Sequence, residues 1–114
     1  MASDQDFVEF VADQMSAAGN IAYRKMFGEY AVYCDGKVVA LVCDNQLFVK
    51  PTKEGRTYIG KVCEAPPYPG AKMYLLIEDA YEDPDWISGL IRITAGALPP
   101  PKPEGIKKEK RETR

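Results

Sequence analysis

Histidine is absent from this 114-residue chain, tryptophan occurs once and cysteine three times. Without His, a histidine-dependent catalytic triad is excluded. The cysteines are Cys34, Cys43 and Cys63. None forms a C-x-x-C pair, and no fourth ligand completes a structural zinc set, so no metal or other cofactor is expected. Their odd number, without a secretory signal, argues for reduced thiols that act as small hydrophobes. No apolar run approaches the ~20 residues needed to cross a bilayer. The opening MASDQDF lacks a positive n-region and an apolar h-region,. The expectation is a cytoplasmic chain with no membrane partner. G-x-G-x-x-G and G-x-x-x-x-G-K phosphate loops are also missing,.

What is present suits one soluble domain: 46% hydrophobic and 28% charged residues, net charge −2,. The charge is unevenly placed. Residues 99–114 hold six basic side chains (Lys102, Lys107, Lys108, Lys110, Arg111, Arg114) and three acidic ones (Glu104, Glu109, Glu112), net +3. The rest holds nine basic and fourteen acidic residues, net −5. An acidic body is a poor phosphate binder, so any nucleic-acid contact falls to the tail or to a local patch.

The stretch Ile21–Lys50 reads as a β-meander. Asp35-Gly36, between two apolar runs, predicts a two-residue type I′ hairpin,. Asp44-Asn45 predicts a second, weaker one. Strands follow at about 29–34, 37–43 and 46–50, preceded by a short one over 22–26, with Gly28 at a bend or bulge. Uninterrupted two-residue registers set Val32 against Val39 and Tyr30 against Leu41. They put Tyr30, Val32, Val39, Leu41 and Phe48 on one face. Ala31, Tyr33, Val38, Ala40, Val42, Leu47 and Val49 fall on the other. Both faces are apolar, so both should be covered, the second by a helix or by another copy of the chain. Cys34 falls opposite Lys37 and Cys43 opposite Gln46, which rules out a cross-strand disulfide between them.

Around the meander, 4–18 predicts a helix with Ser3 as N-cap and Phe7, Phe10, Val11, Met15 and Ala18 on one stripe, Val8 beside it. Thr52 starts a short helix over 53–62, weakened by Gly55 and Gly60. Ala65–Gly70 reads as loop and 72–78 as an interior strand. Asp83 and Pro84 start a last helix with Trp86, Ile87, Leu90, Ile91 and Thr94 at helical spacing. Gly96 and Pro99–Pro101 end it, and residues 99–114 read as a disordered Pro/Lys tail. The fold class is α+β: a two-layer sandwich with a mainly antiparallel sheet of four to five strands, in the order α-β(3–4)-α-β-α.

Chemistry-bearing candidates are few. Cys63 is the thiol expected at the surface, in reach of a sensor or nucleophile role only in an electropositive setting. Glu78, Asp79, Glu82, Asp83 and Asp85 cluster, but without calcium-loop spacing; the helix start explains two of them and a solvated loop the rest. Tyr23, Phe27, Tyr30 and Tyr33 interleave with Arg24, Lys25, Lys37 and Lys50. That pattern stacks nucleobases in some sheets and builds a plain core in most. No catalytic residue is expected.

Arg24-Lys25-Met26-Phe27-Gly28-Glu29-Tyr30, followed by Tyr33, Asp35-Gly36-Lys37, Ala40-Leu41-Val42, Asp44, Leu47 and Lys50, resembles the N-terminal domain of the TfoX (Sxy) family. The resemblance spans about residues 5–98. It implies an α+β domain similar to secretion chaperones and a link to bacterial regulators of natural competence, thought to be transcriptional co-activators. It implies no catalytic residues. Those regulators carry a second, helical C-terminal domain, where this sequence has its Pro/Lys tail. The functional expectation is a non-enzymatic, bacterial, regulatory domain that binds a protein partner, a second copy being one candidate. Arg24, Lys25, Phe27, Tyr30, Tyr33, Lys37 and Lys50 are the candidate interaction residues. The alternatives are a transcription-associated nucleic-acid binder using the basic tail, and a small thiol-based sensor or enzyme.

Overall fold

A computed structural model describes residues 3–26 and 29–99. Phe27, the Gly28 bend and all of the basic tail beyond Pro99 lie outside the described residues. The order is α1 (Gln5–Gln14), β1 (Ile21–Met26), β2 (Glu29–Cys34), β3 (Lys37–Cys43), β4 (Gln46–Val49), α2 (Lys53–Ile59), β5 (Glu64–Ala65), β6 (Tyr74–Ile77) and α3 (Pro84–Ala97). Single 3-10 turns at Ser16–Ala18 and Ala80–Glu82 complete it. The fold is the expected α+β arrangement with an antiparallel sheet. That sheet has six strands in the order β1-β2-β3-β4-β6-β5, since Glu64 and Ala65, the second of them in the expected 65–70 loop, pair with β6. β6 is interior, as its continuous apolar run predicts,.

Both hairpins pivot where the turn chemistry puts them. Asp35 and Gly36 have φ of 52° and 84°, and Asp44 and Asn45 have 53° and 56°, the left-handed pairs of type I′ turns,. Cys34 faces Lys37 and Cys43 faces Gln46. Between these turns the expected register fails. Tyr33 pairs with Val38, but Val32 pairs with Ala40 and Tyr30 with Val42. Val39 is an extra residue in β3, a β-bulge. Because strand side chains alternate with period two, one extra residue moves everything beyond it to the opposite face.

The corrected faces are therefore these. Tyr30, Val32, Val42, Leu47, Val49, Leu75 and Ile77 join Val8, Val11, Met15, Ile87, Leu90 and Ile91 in one buried core. Full burial of each such side chain contributes roughly 1.5–3 kcal/mol. Ala31, Leu41, Phe48 and Leu76 form a row across β2-β3-β4-β6 on the other face. They stand outside that core cluster. The helix residues among those described join the core cluster and not this row, so of the two covers expected there, a helix or another copy, the helix falls away.

Helix ends differ modestly from the sequence reading. α1 stops at Gln14 and is capped from Asp4, without a side-chain cap bond, and not from the expected Ser3, whose hydroxyl donates to Glu29 instead. Phe10 is exposed, and Phe7 and Phe10 meet Tyr81 edge-on, so the buried stripe is Val8, Val11 and Met15. α2 stops at Ile59, where Gly60 takes φ 85°. Thr52 Oγ1 accepts the Gly55 N–H, and Asp83 accepts the Trp86 N–H with Pro84 at the first position of α3, both as their sequences predict. Gly89 lets α3 sit against α2: a Cβ there would lie 2.4 Å from the Tyr58 hydroxyl, which donates to the Trp86 carbonyl.

Candidate functional site

The second face of the sheet is the candidate site. Its middle is apolar and unevenly covered. Ala31, Cys43 and Phe48 are buried, while Leu41, Leu76, Tyr33, Val38 and Tyr74 are half-buried. Met26, Tyr68 and Met73 stand among the exposed large hydrophobics of the molecule. Near the β2 start the small side chain of Ala31 leaves a hollow of about 420 Å3. Ala31, Leu41 and Cys43 line it together with Met26, Tyr68 and Glu29.

Glu29 is the polar element of this rim, and nothing in the sequence pattern singled it out. One carboxylate oxygen accepts both the Ser3 N–H and the Ser3 hydroxyl, at 2.9 and 2.7 Å. The other accepts the Asp44 N–H at 3.0 Å. Ser3 Oγ in turn accepts the Asn45 N–H, and Asn45 Oδ1 accepts the Asp4 N–H. One carboxylate thus ties the start of α1 to the β3–β4 turn, with charge-assisted bonds that partly neutralise it. The Cys43 thiol, beside Glu29 and Asp44, is pushed up to about 11, by burial first and by those carboxylates second. Burial also raises Cys34. Both are poor nucleophiles. Cys63 is exposed, as expected.

The structure scatters the candidate interaction residues. Arg24 and Lys25 are exposed on β1 but point to opposite faces, since Arg24 pairs with Ala31 and Lys25 with Tyr30,. Tyr30 keeps only 8% of its surface and packs edge-on against Tyr23, with 5.9 Å between ring centroids. It is core, so base stacking loses that aromatic. Lys37 is occupied too: its Nζ donates to the carbonyls of Ala95 and Leu98, at 2.7 and 3.2 Å. It caps α3, where a cation also suits the helix dipole. Tyr33 is half-buried on the candidate face. Lys50 shares with Val38 and Pro99 a hollow of about 240 Å3 at the sheet's end. Phe27 lies outside the described residues.

Among the described residues, no group of three or more His, Cys, Asp or Glu side chains is arranged to hold a metal ion. No helix among them is long and apolar enough to cross a membrane. The Asp and Glu cluster after β6 resolves into the α3 cap, Asp83, and exposed neighbours.

A sheet layered on one side by helices and apolar on the other defines an α+β domain. The chain belongs to the TfoX N-terminal domain family, whose profile matches residues 13–98. It is also 43% identical over 107 residues to an uncharacterized 12.7 kDa protein in the trpE 5′ region of Spirochaeta aurantia. That match covers 94% of this chain and 93% of its relative.

Proposed function

We propose that the chain is a non-enzymatic, cytoplasmic regulatory domain that works by protein contact through the second face of its sheet, with a second copy of itself as the occupant. Family membership points to competence-related regulation. The observation that carries the reading is the apolar row Ala31, Leu41, Phe48 and Leu76, unlayered by any described helix. Faces of this kind mark interaction sites.

Charge constrains how a copy of the same chain would dock. The body is net −5, so two copies repel except where charge is sparse,. The row itself carries none. Its margins differ in sign: Arg24 lies on β1, while Glu78 and Asp79 follow β6. A two-fold axis parallel to the strands sets β1 of one copy over β6 of the other, bringing unlike margins together.

Sedimentation velocity across the micromolar range tests this. The full chain should show a concentration-dependent dimer, and Leu41→Lys should abolish it without lowering the thermal midpoint. A full chain that stays monomeric throughout overturns the reading. Nucleic-acid binding retains Arg24, Lys25, Lys50 and the basic tail, but loses Tyr30 and Lys37 to the core and the α3 cap.

A further inference from the structure

The sheet ends on one side at β1, and that edge is long. The other edge strand, β5, has two residues, whereas β1 has six, paired to β2 from Ile21–Cys34 to Met26–Glu29 without a register shift. Among the described residues, no strand lies along the outer side of β1. The ladder fixes which backbone groups face outward. The Asp35 N–H donates to the Asn20 carbonyl at 2.9 Å, which makes those two residues a hydrogen-bonded pair in register with the ladder. Alternation then bonds Ala22, Arg24 and Met26 to β2 and turns the N–H and C=O groups of Ile21, Tyr23 and Lys25 away from the sheet. Such edges recruit further strands unless guarded. β1 has no proline and no bulge; its guards are the charges of Arg24 and Lys25.

A groove runs beside this edge. α1 and β1 enclose a hollow of about 370 Å3 whose walls include Glu9, Asp13, Ser16, Ile21 and Tyr23. The Tyr23 hydroxyl and the Gln5 amide both donate to Glu9 Oε2, at 3.3 and 2.9 Å. Among the described residues the one ion pair joins Arg56 to Glu64, so Glu9 and Asp13 have no cation of their own. Tyr23 pairs with the core residue Val32, which puts Ile21, Tyr23 and Lys25 on the helix side and Ala22, Arg24 and Met26 on the second face,. A strand added along β1 inherits that alternation. Its residue opposite Tyr23 points to the helix side, toward Glu9 and Asp13, where a Lys or Arg is favoured. A cation opposite Lys25 is repelled, so one basic residue fits and a run of them does not. The residues between continue the apolar second face past the exposed Met26. The β1 of a second copy fits worse, because joining the two edges about a two-fold axis sets both copies' Glu9 and Asp13 on the same side of the sheet.

We propose that β1 is a docking edge for an extended peptide segment, which adds a seventh strand with one basic side chain opposite Tyr23 and apolar side chains at the positions beside it. Main-chain bonds to Ile21, Tyr23 and Lys25 hold the segment, and the acidic groove selects it. This does not rest on the self-association proposed above. The test titrates acetyl-Val-Thr-Val-Lys-Val-Thr-Val-amide into the full chain and follows amide hydrogen exchange by NMR. Exchange at Ile21, Tyr23 and Lys25 should slow about tenfold, while Ala22 and Arg24, already bonded to β2, stay unchanged. Asp13→Lys, at an exposed position, should keep the thermal midpoint, weaken this peptide about tenfold and favour the same peptide with Glu in place of Lys. Unchanged exchange at the three amides overturns the proposal, as do equal affinities of the Lys and Glu peptides for the unaltered chain. Slowing of the same three amides without peptide, as protein concentration rises, assigns the edge to a second copy and overturns it too.

Discussion

The two faces of the sheet are both apolar, yet they are held in different ways. The helix side is a continuous core in which Val8, Val11, Ile87, Leu90 and Ile91 meet Val32, Val42, Leu47 and Leu75, all fully buried. The other side has its apolar row half-buried at Leu41 and Leu76 and a polar tie at Glu29. Burial stabilises the first face, and hydrogen bonds to one carboxylate fasten the margin of the second. Only the first face belongs to the contiguous core cluster.

Paired truncations give the largest contrast. Leu90→Ala should lower unfolding free energy by about 2–5 kcal/mol, the range for buried Leu with a residual cavity. Leu41→Ala on the open face should cost less than about 1 kcal/mol in the monomer. Chemical denaturation at low concentration measures both, and equal losses would erase the distinction between the faces. Glu29→Ala comes next. It leaves the Ser3 and Asp44 donors without their acceptor, for a loss of about 1–3 kcal/mol. Hydrogen exchange should accelerate at Asp44 and Asn45 but not in α3.

The pH dependence is a further test of the second face. Burial holds the Cys43 thiol at about 11, against an ordinary value of 9.0. The unfolded chain loses that proton first, so the contribution is whole below pH 9 and is lost as pH climbs toward 11. Urea midpoints should fall between those values, and Cys43→Ala should flatten part of the slope. Cys34 and Tyr74, also raised by burial, keep the remainder. The smallest effect belongs to Lys37→Met, about 1 kcal/mol, from loss of the charged donor to Ala95 and Leu98,. Fraying should be confined to the last turn of α3.

The sequence made the turns and caps readable because each depends on neighbours within a few residues. Asp35-Gly36 and Asp44-Asn45 accept positive φ,. Thr52, and Asp83 with Pro84, satisfy or dispense with free helix N–H groups,. These signals located the meander, the helices and the interior strand β6. The candidate site was only half legible. Two-sided apolarity called for cover on both sides of the sheet, but the membership of the faces was misassigned: Val42, Leu47 and Val49 belong to the core, and Leu41 and the buried Phe48 to the second face. Tyr30 and Lys37, candidate interaction residues in the sequence, are a core side chain and a helix cap.

Sequence alone determined where this chain bends, where its helices begin and that its sheet is greasy on both sides, since φ preferences and local hydrogen bonds act within a few residues. Only the folded molecule decided that Val39 is an inserted bulge residue, that the helices layer one side, and that Lys37 and Glu29 are ties rather than free charges. Those outcomes come from pairings between residues far apart in the chain, such as Glu29 with Ser3 and Lys37 with Ala95. Competing long-range contacts settle them together, and no local pattern carries that information.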